Sequence, residues 1–144
     1  MTLPSLSDIH AAHDRIRPFI HKTPVLTSQQ INRIFGCSLF FKCENFQKVG
    51  AFKFRGATNA VLSLSAEEKE RGVVTHSSGN HAAALALAAS MNGVKARIVM
   101  PETAPVVKKN AVAGYGADIT FCKPTLQSRE ETTRRIIEKT GAVL

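Results

Sequence analysis

The sequence contains no tryptophan and a single tyrosine. Nucleic acid bases need aromatic faces on which to stack, so a stacking platform is poorly supplied. Cysteines number three, Cys37, Cys43 and Cys122, with no C-x-x-C spacing. An odd count without that spacing argues against a disulfide scaffold or a zinc site and suits a reducing compartment. No apolar run is long enough to span a bilayer; the longest candidate, "AAALALAA" at residues 82–89, is too short. The N-terminus, "MTLPSLSDIH", has no basic segment leading into an apolar one. No secretory signal is therefore visible, and the cytoplasm is the expected compartment. The G-x-G-x-x-G dinucleotide fingerprint is also absent, which counts against NAD.

What is present is a chain of 144 residues, 44% hydrophobic and 21% charged, long enough for a core of its own. Its net charge of +8 would attract anions. The basic residues are scattered, however. The tightest doublets are Lys108-Lys109 and Arg134-Arg135, and no basic run has aromatics between its charges. Neither a nucleic acid nor a membrane is the expected partner.

Along the chain, Ser7 is placed to cap a first helix with Ile9, Ala12 and Ile16 on one face. Thr27 and Gln30 form a capping-box pattern, and Gly36 would end that short helix. The segment "SLFFKCE", 38–44, reads as a strand. Phe54, Ala57, Val61 and Leu64 then recur at helical spacing, and Ser65 with Glu68 opens another helix closed by Gly72. Beyond it the rhythm becomes regular: strands at "GVVTHSS", "ARIVMP" and "ADITFC" alternate with helices at 80–92 and from Pro105 to Gly114. Ser128 with Glu131 caps a last helix ending at Gly141, after which "AVL" reads as the start of a fourth strand. Such alternation with short links predicts an α/β fold with a parallel sheet. A composition shift near residue 72 suggests a boundary. Because the chain stops mid-pattern at Leu144, it is expected to be a fragment of a longer protein.

Two stretches carry chemistry. In "THSSGNHAAAL", 75–85, an apolar strand runs through Ser-Ser-Gly-Asn into an alanine-rich helix. Backbone N–H groups at such a helix start make an anion site at the carboxyl end of a strand. An ordinary N-cap is the alternative, but a cap needs one polar residue, and here Thr75, His76, Ser77, Ser78, Asn80 and His81 crowd together. In "VGAFKFRGA", 49–57, Lys53 stands between two phenylalanines, with Gly50 and Gly56 to either side. An apolar pocket would desolvate its ammonium and favour the nucleophilic amine, able to form a Schiff base with an aldehyde cofactor. The alternative is a lysine whose stem merely covers apolar surface.

Together, "KCENFQKVGAFKFRGATNA" and "VVTHSSGNHAAALA" resemble the serine racemase and serine/threonine dehydratase family, pyridoxal-phosphate enzymes of fold type II. The resemblance runs from "HKTPVLTS" to "SREETTRR". It implies that residues 1–72 are the N-terminal portion of a large domain and 73–144 most of a small mobile α/β domain. It also implies deamination by β-elimination of water, racemisation, or both, acting on serine, threonine or a 3-hydroxy amino acid. Lys53 would carry the cofactor as a Schiff base and move the Cα proton on one face. Ser78 would be the acid/base on the other face, Phe52 would pack on the pyridine ring, and Asn80 would bond the cofactor's 3-hydroxyl. Ser77, Ser78, Asn80 and His81 would bind the substrate carboxylate.

Arg129 matches an arginine that meets acidic substrates, although Glu130/Arg134 and Glu131/Arg135 on the same helix also read as a solvated face. Ser28, Lys48 and Tyr115 match an ATP site at a subunit interface, from which Gln29, Val49 and Ala83 depart. For the full-length parent the resemblance implies a homodimer, with ATP and a divalent cation (magnesium or manganese) as further ligands. The glycine-rich phosphate loop and the metal ligands would lie beyond residue 144, so no metal site is expected within the chain. The 144 residues alone are expected to be inactive, and a truncated remnant is the alternative to an active enzyme.

Overall fold

The structure, a computed structural model, describes residues 3–144. Its first helix, α1 (Leu6–Ile16), is capped by Ser5, whose hydroxyl accepts from the Asp8 N–H while the Asp8 carboxylate returns a bond to the Ser5 N–H. The expected cap was Ser7; both serines can cap, but only Ser5 has an acidic residue three places on. Strand β1 (Val25–Leu26) pairs antiparallel with β2 (Phe41–Lys42). Between them α2 (Gln29–Phe35) starts at Ser28 rather than Thr27 and ends at Gly36, whose left-handed φ of 65° suits glycine. The strand expected over 38–44 is only β2. The chain beyond it coils into two 3₁₀ turns, Glu44–Phe46 and Lys48–Gly50.

Helix α3 (Lys53–Leu62) buries Phe54, Ala57, Thr58 and Val61. α4 (Ala66–Arg71) has the expected Ser65/Glu68 capping box and stops at Gly72. Next come β3 (Val73–His76), α5 (Asn80–Met91), β4 (Ala96–Pro101), α6 (Val106–Gly114), β5 (Asp118–Cys122) and α7 (Leu126–Thr140). Helix α7 begins one turn earlier than expected, because Thr125 accepts from the Ser128 N–H and takes the capping role given to Ser128.

The sheet is parallel, in the order β3-β4-β5. Val143 adds a parallel bridge beside β3: the Val74 N–H donates to its carbonyl at 2.8 Å, and its own N–H donates to Gly72 at 2.9 Å. Helices α5 and α6 cover one face of the sheet and α7 the other. The core lies under α5. Ala82, Ala84, Ala86, Ala88 and Ala89 bring that helix close to β3, β4 and α3, and Ile98 and Met100 fill the space below it. Phe54 and Val61 of α3 join the same core, so buried contacts continue across residue 72. Val25, Leu26, Ile34, Phe35, Phe40 and Phe41 remain exposed around β1, α2 and β2.

Candidate active site

Lys53 opens α3. The spacing that places Phe54, Ala57 and Val61 inside turns the preceding pair outward, and Phe52 is 60% exposed. Lys53 is exposed as well. The expected apolar pocket around its amine is therefore not formed by this chain: of the two flanking phenylalanines only Phe54, at 0%, is inside. The Lys53 Nζ lies 5.2 Å from the centre of the Phe52 ring. Among the described residues Lys53 makes no hydrogen bond and no ion pair. The amine is sterically open and chemically unengaged, with an exposed aromatic face beside it.

Val49 and Gly50 deliver the chain into this helix through consecutive left-handed residues, at φ 57° and 67°. Gly50 adopts that conformation freely, whereas for a β-branched valine it is strained. Val49 is held there by packing against the core beneath α5. Gly56, the other frame glycine, has a negative φ and open space where a Cβ would stand.

The anion end is built at the exit of β3. The Ser77 N–H donates to the Val99 carbonyl at 3.1 Å, extending the strand pairing by one residue. The Ser77 hydroxyl then accepts from the Gly79 N–H at 3.3 Å and folds the loop toward α5. Gly79 is the N-cap, and no side chain caps the helix. Thus the reading of "SSGN" as an ordinary cap fails. The first N–H groups of α5 have no side-chain partner, and neither Ser78 nor Asn80 makes a side-chain hydrogen bond among the described residues. Unpaired N–H groups, a hydroxyl and an amide thus lie near the positive end of the helix dipole, the kind of helix start at which anions are accommodated.

His81 joins the two halves. It is half-buried and lines a cleft of about 140 Å³ with Gly56 and Ala57 of α3 and Thr75 of β3. Burial, then the charges of Lys53 and His76, hold its imidazole below the ordinary value of 6.5. The neutral ring keeps both a donor and an acceptor nitrogen.

The remaining residues lie apart. Arg129 sits in the first turns of α7, at the same carboxyl edge of the sheet but on the opposite face. Its Nε is buried without a partner, and it makes no hydrogen bond to Ser77, Ser78, Asn80 or His81 among the described residues. The Ser28 hydroxyl is spent on capping α2. The Lys48 Nζ lies 3.9 Å from the Met91 sulfur and 5.6 Å from the Phe54 ring centre, and Tyr115 packs against the core at the end of α6. Among the described residues no cluster of three or more His, Cys, Asp or Glu side chains could hold a metal ion.

Sequence reasoning missed one polar assembly. Glu44 accepts from the Arg55 Nε and Nη2, both at 2.8 Å, and from the Thr23 hydroxyl at 2.6 Å. The guanidinium, ahead of the opposing effect of burial, holds the Glu44 carboxyl down to about 2. Beside it, the Gln47 side chain accepts from the His21 N–H at 2.9 Å and donates to the His21 carbonyl at 3.0 Å. Thr23 is 4% and Gln47 3% exposed. No local pattern announces such pairs, because their members lie on different elements.

Known proteins similar to this chain identify its family. Residues 16–144 match the family model described as pyridoxal-phosphate dependent enzyme. The chain is 59% identical over 136 residues to a serine racemase of Arabidopsis thaliana, covering 94% of this chain and 41% of that protein. It is 52% identical over 141 residues to a β-hydroxyaspartate dehydratase of Paracoccus denitrificans, covering 98% of this chain and 45% of that one. The structure superposes on that of a serine racemase from Dictyostelium discoideum with a TM-score of 0.93 at 55% identity, covering 97% of this chain and 46% of the other. The chain thus spans less than half the length of these relatives. With its open lysine amine and uncapped helix end, and with a family match over nearly its whole length, the chain belongs to the pyridoxal-phosphate dependent enzymes.

Proposed function

We propose that the protein carrying this chain deaminates or racemises serine, threonine or a 3-hydroxy amino acid with pyridoxal phosphate. The observation that supports this best is the pairing of a free Lys53 amine with the uncapped N-terminus of α5, on packed helices. Both halves suit the cofactor and its substrate: an unengaged amine for the aldehyde, and unpaired N–H, hydroxyl and amide groups for a carboxylate.

Lys53 would hold the cofactor covalently, Phe52 would cover one face of its ring, and Asn80 would bond its 3-hydroxyl. The bound cofactor supplies an electron-withdrawing ring that accepts the electron pair left when the substrate's Cα proton departs. Ser77, Ser78, Asn80 and His81, with the first N–H groups of α5, would bind the substrate carboxylate and fix which Cα bond is broken. The Lys53 amine would take the Cα proton on one face, and the Ser78 hydroxyl would hold or return a proton on the other. Two groups that exchange protons on opposite faces suffice for racemisation. Loss of a β-hydroxyl after the first transfer leaves an unsaturated amino acid, whose imine form water hydrolyses to the keto acid and ammonia. His81, kept neutral, would donate to the carboxylate without adding charge beside Lys53.

Arg129 would meet an acidic substrate side group, a reading supported by its buried, unpartnered Nε at the same sheet edge. A divalent cation and ATP, the latter at Ser28, Lys48 and Tyr115, belong to the same reading of the full-length protein, as does a homodimer. Residues 1–72 would form part of a larger domain; the exposed apolar side chains around β1, α2 and β2 favour that. Residues 73–144 would form the small mobile domain. No helix among the described residues is long and apolar enough to cross a membrane, and a cytoplasmic enzyme is the proposed setting. The test is the full-length protein with pyridoxal phosphate, assayed for pyruvate and D-serine from L-serine. Activity is expected to vanish in Lys53→Ala; an undiminished Lys53→Ala rate would sink the reading.

A further inference from the structure

We propose that the Glu44–Arg55 ion pair, completed by Thr23, is the positioning device for the Lys53 amine. The inference rests on the reading of Lys53 as the residue that captures the aldehyde. Helix α3 begins without a side-chain cap: Phe52, at the N-cap, has helical backbone angles and makes no capping hydrogen bond. Backbone bonds close the turn, from the Phe54 N–H to the Ala51 carbonyl at 3.3 Å and from the Arg55 N–H to the Phe52 carbonyl at 3.1 Å, but no side chain caps it. Burial holds it from either side, at Ala51 and Phe54, but not at Phe52 and Lys53 themselves, which are both exposed.

The two residues after Lys53 complete the hold. Phe54 is fully buried and fixes one point of the turn. Arg55 fixes its rotation about that point, because its planar fork meets both oxygens of Glu44 at 2.8 Å. Glu44 is in turn oriented by the Thr23 hydroxyl at 2.6 Å, and Lys42 donates to the Thr23 carbonyl at 2.6 Å. The neighbouring turn is locked to the same segment, since Gln47 bonds both backbone groups of His21. The anchor therefore runs from the turn that carries Lys53 to residues 21–24, independently of α5 and the sheet. Fixing this turn fixes where the amine stands relative to the anion end of α5. A reacting group displaced by about 1 Å loses on the order of 100-fold in rate.

The experiment uses the full-length protein, with pyridoxal phosphate as the probe. The Lys53 amine condenses with the aldehyde, releasing water. Borohydride then reduces the new C=N bond, and the modified peptide is counted by mass spectrometry. Glu44→Gln and Arg55→Lys are compared with Val112→Ala, a buried position on α6, which packs on α5 and β5. Val112→Ala reports the effect of lost stability alone. Capture at Lys53 is expected to slow about tenfold or more in Glu44→Gln and Arg55→Lys, and to keep the wild-type rate in Val112→Ala. If Glu44→Gln does not fold, Arg55→Lys, which keeps the charge and loses the fork, decides alone. Capture in these variants at the rate of Val112→Ala overturns the positioning role. Absence of capture at Lys53 in the wild type overturns the assignment of Lys53 itself, and this inference with it.

Discussion

His81 and Lys53 stand on packed helices, and the charge of the lysine adds to burial in holding the imidazole below its ordinary 6.5. Burial is the larger cause, so removing the charge recovers only part of the shift. Lys53→Met is expected to raise the His81 titration midpoint while leaving it under 6.5, as read by NMR of the ring protons. A midpoint unchanged by Lys53→Met would show that the two groups do not sense each other.

The same imidazole links stability to pH. Its folded-state pKa is depressed, so above 6.5 it is neutral in both states and costs nothing. As pH falls below 6.5 the unfolded chain takes the proton more readily, and stability declines until the lowered folded-state value is passed. His81→Gln is expected to flatten this part of the stability profile, measured by denaturant midpoints across the range.

Glu44 gives a second window with a different position. Its carboxyl is held down to about 2, against an ordinary 4.5. The stabilisation is complete above 4.5 and is lost as pH falls toward about 2. Glu44→Gln is expected to cost about 2–3 kcal/mol at neutral pH, because the half-buried Arg55 loses its partner. The variant should then lose less stability on acidification than the wild type. Thermal unfolding at neutral and acid pH checks both signs.

Gly72 is required by its backbone and by its neighbours. Its φ is 79°, and a Cβ there would overlap the Lys95 carbonyl oxygen and crowd the Arg97 side chain. Gly72→Ala is expected to cost roughly 2–4 kcal/mol and to loosen the parallel bridge between β3 and Val143, seen as faster amide exchange at Val74.

Ser78→Ala tests the two-faced proton transfer in the full-length enzyme. Racemisation is expected to fall by roughly 100-fold, while elimination from the enantiomer served by Lys53 persists. Equal losses for D- and L-serine would show that Ser78 is not the second base.

Where the local code was sufficient, the sequence was legible. Ser65 with Glu68 forms its capping box as the spacing requires, and Gly36 and Gly141 end their helices in left-handed turns. Where several residues could cap, the local code did not choose: Ser5, Ser28 and Thr125 won over Ser7, Thr27 and Ser128. The strand–helix alternation after Gly72 was legible because β3 and β4 carry short buried apolar stretches, Val73–Val74 and Ile98–Met100, set between helices. The surroundings of Lys53 were not, since exposure depends on which side of α3 meets α5. The two phenylalanines beside it look alike in sequence and differ completely in burial. Nor was the Glu44–Arg55 pair visible, because it joins a 3₁₀ turn to a helix with no periodicity linking them.

Five of the buried side chains that seat α5 are alanines. An alanine has no rotamers, so burying it costs no side-chain entropy and leaves none to regain on warming. The helix that presents the unpaired N–H groups is thus seated largely by backbone approach. Rotamer changes beneath it have little with which to blur the direction of its donors, and the anion end stays oriented as long as the helix itself remains folded.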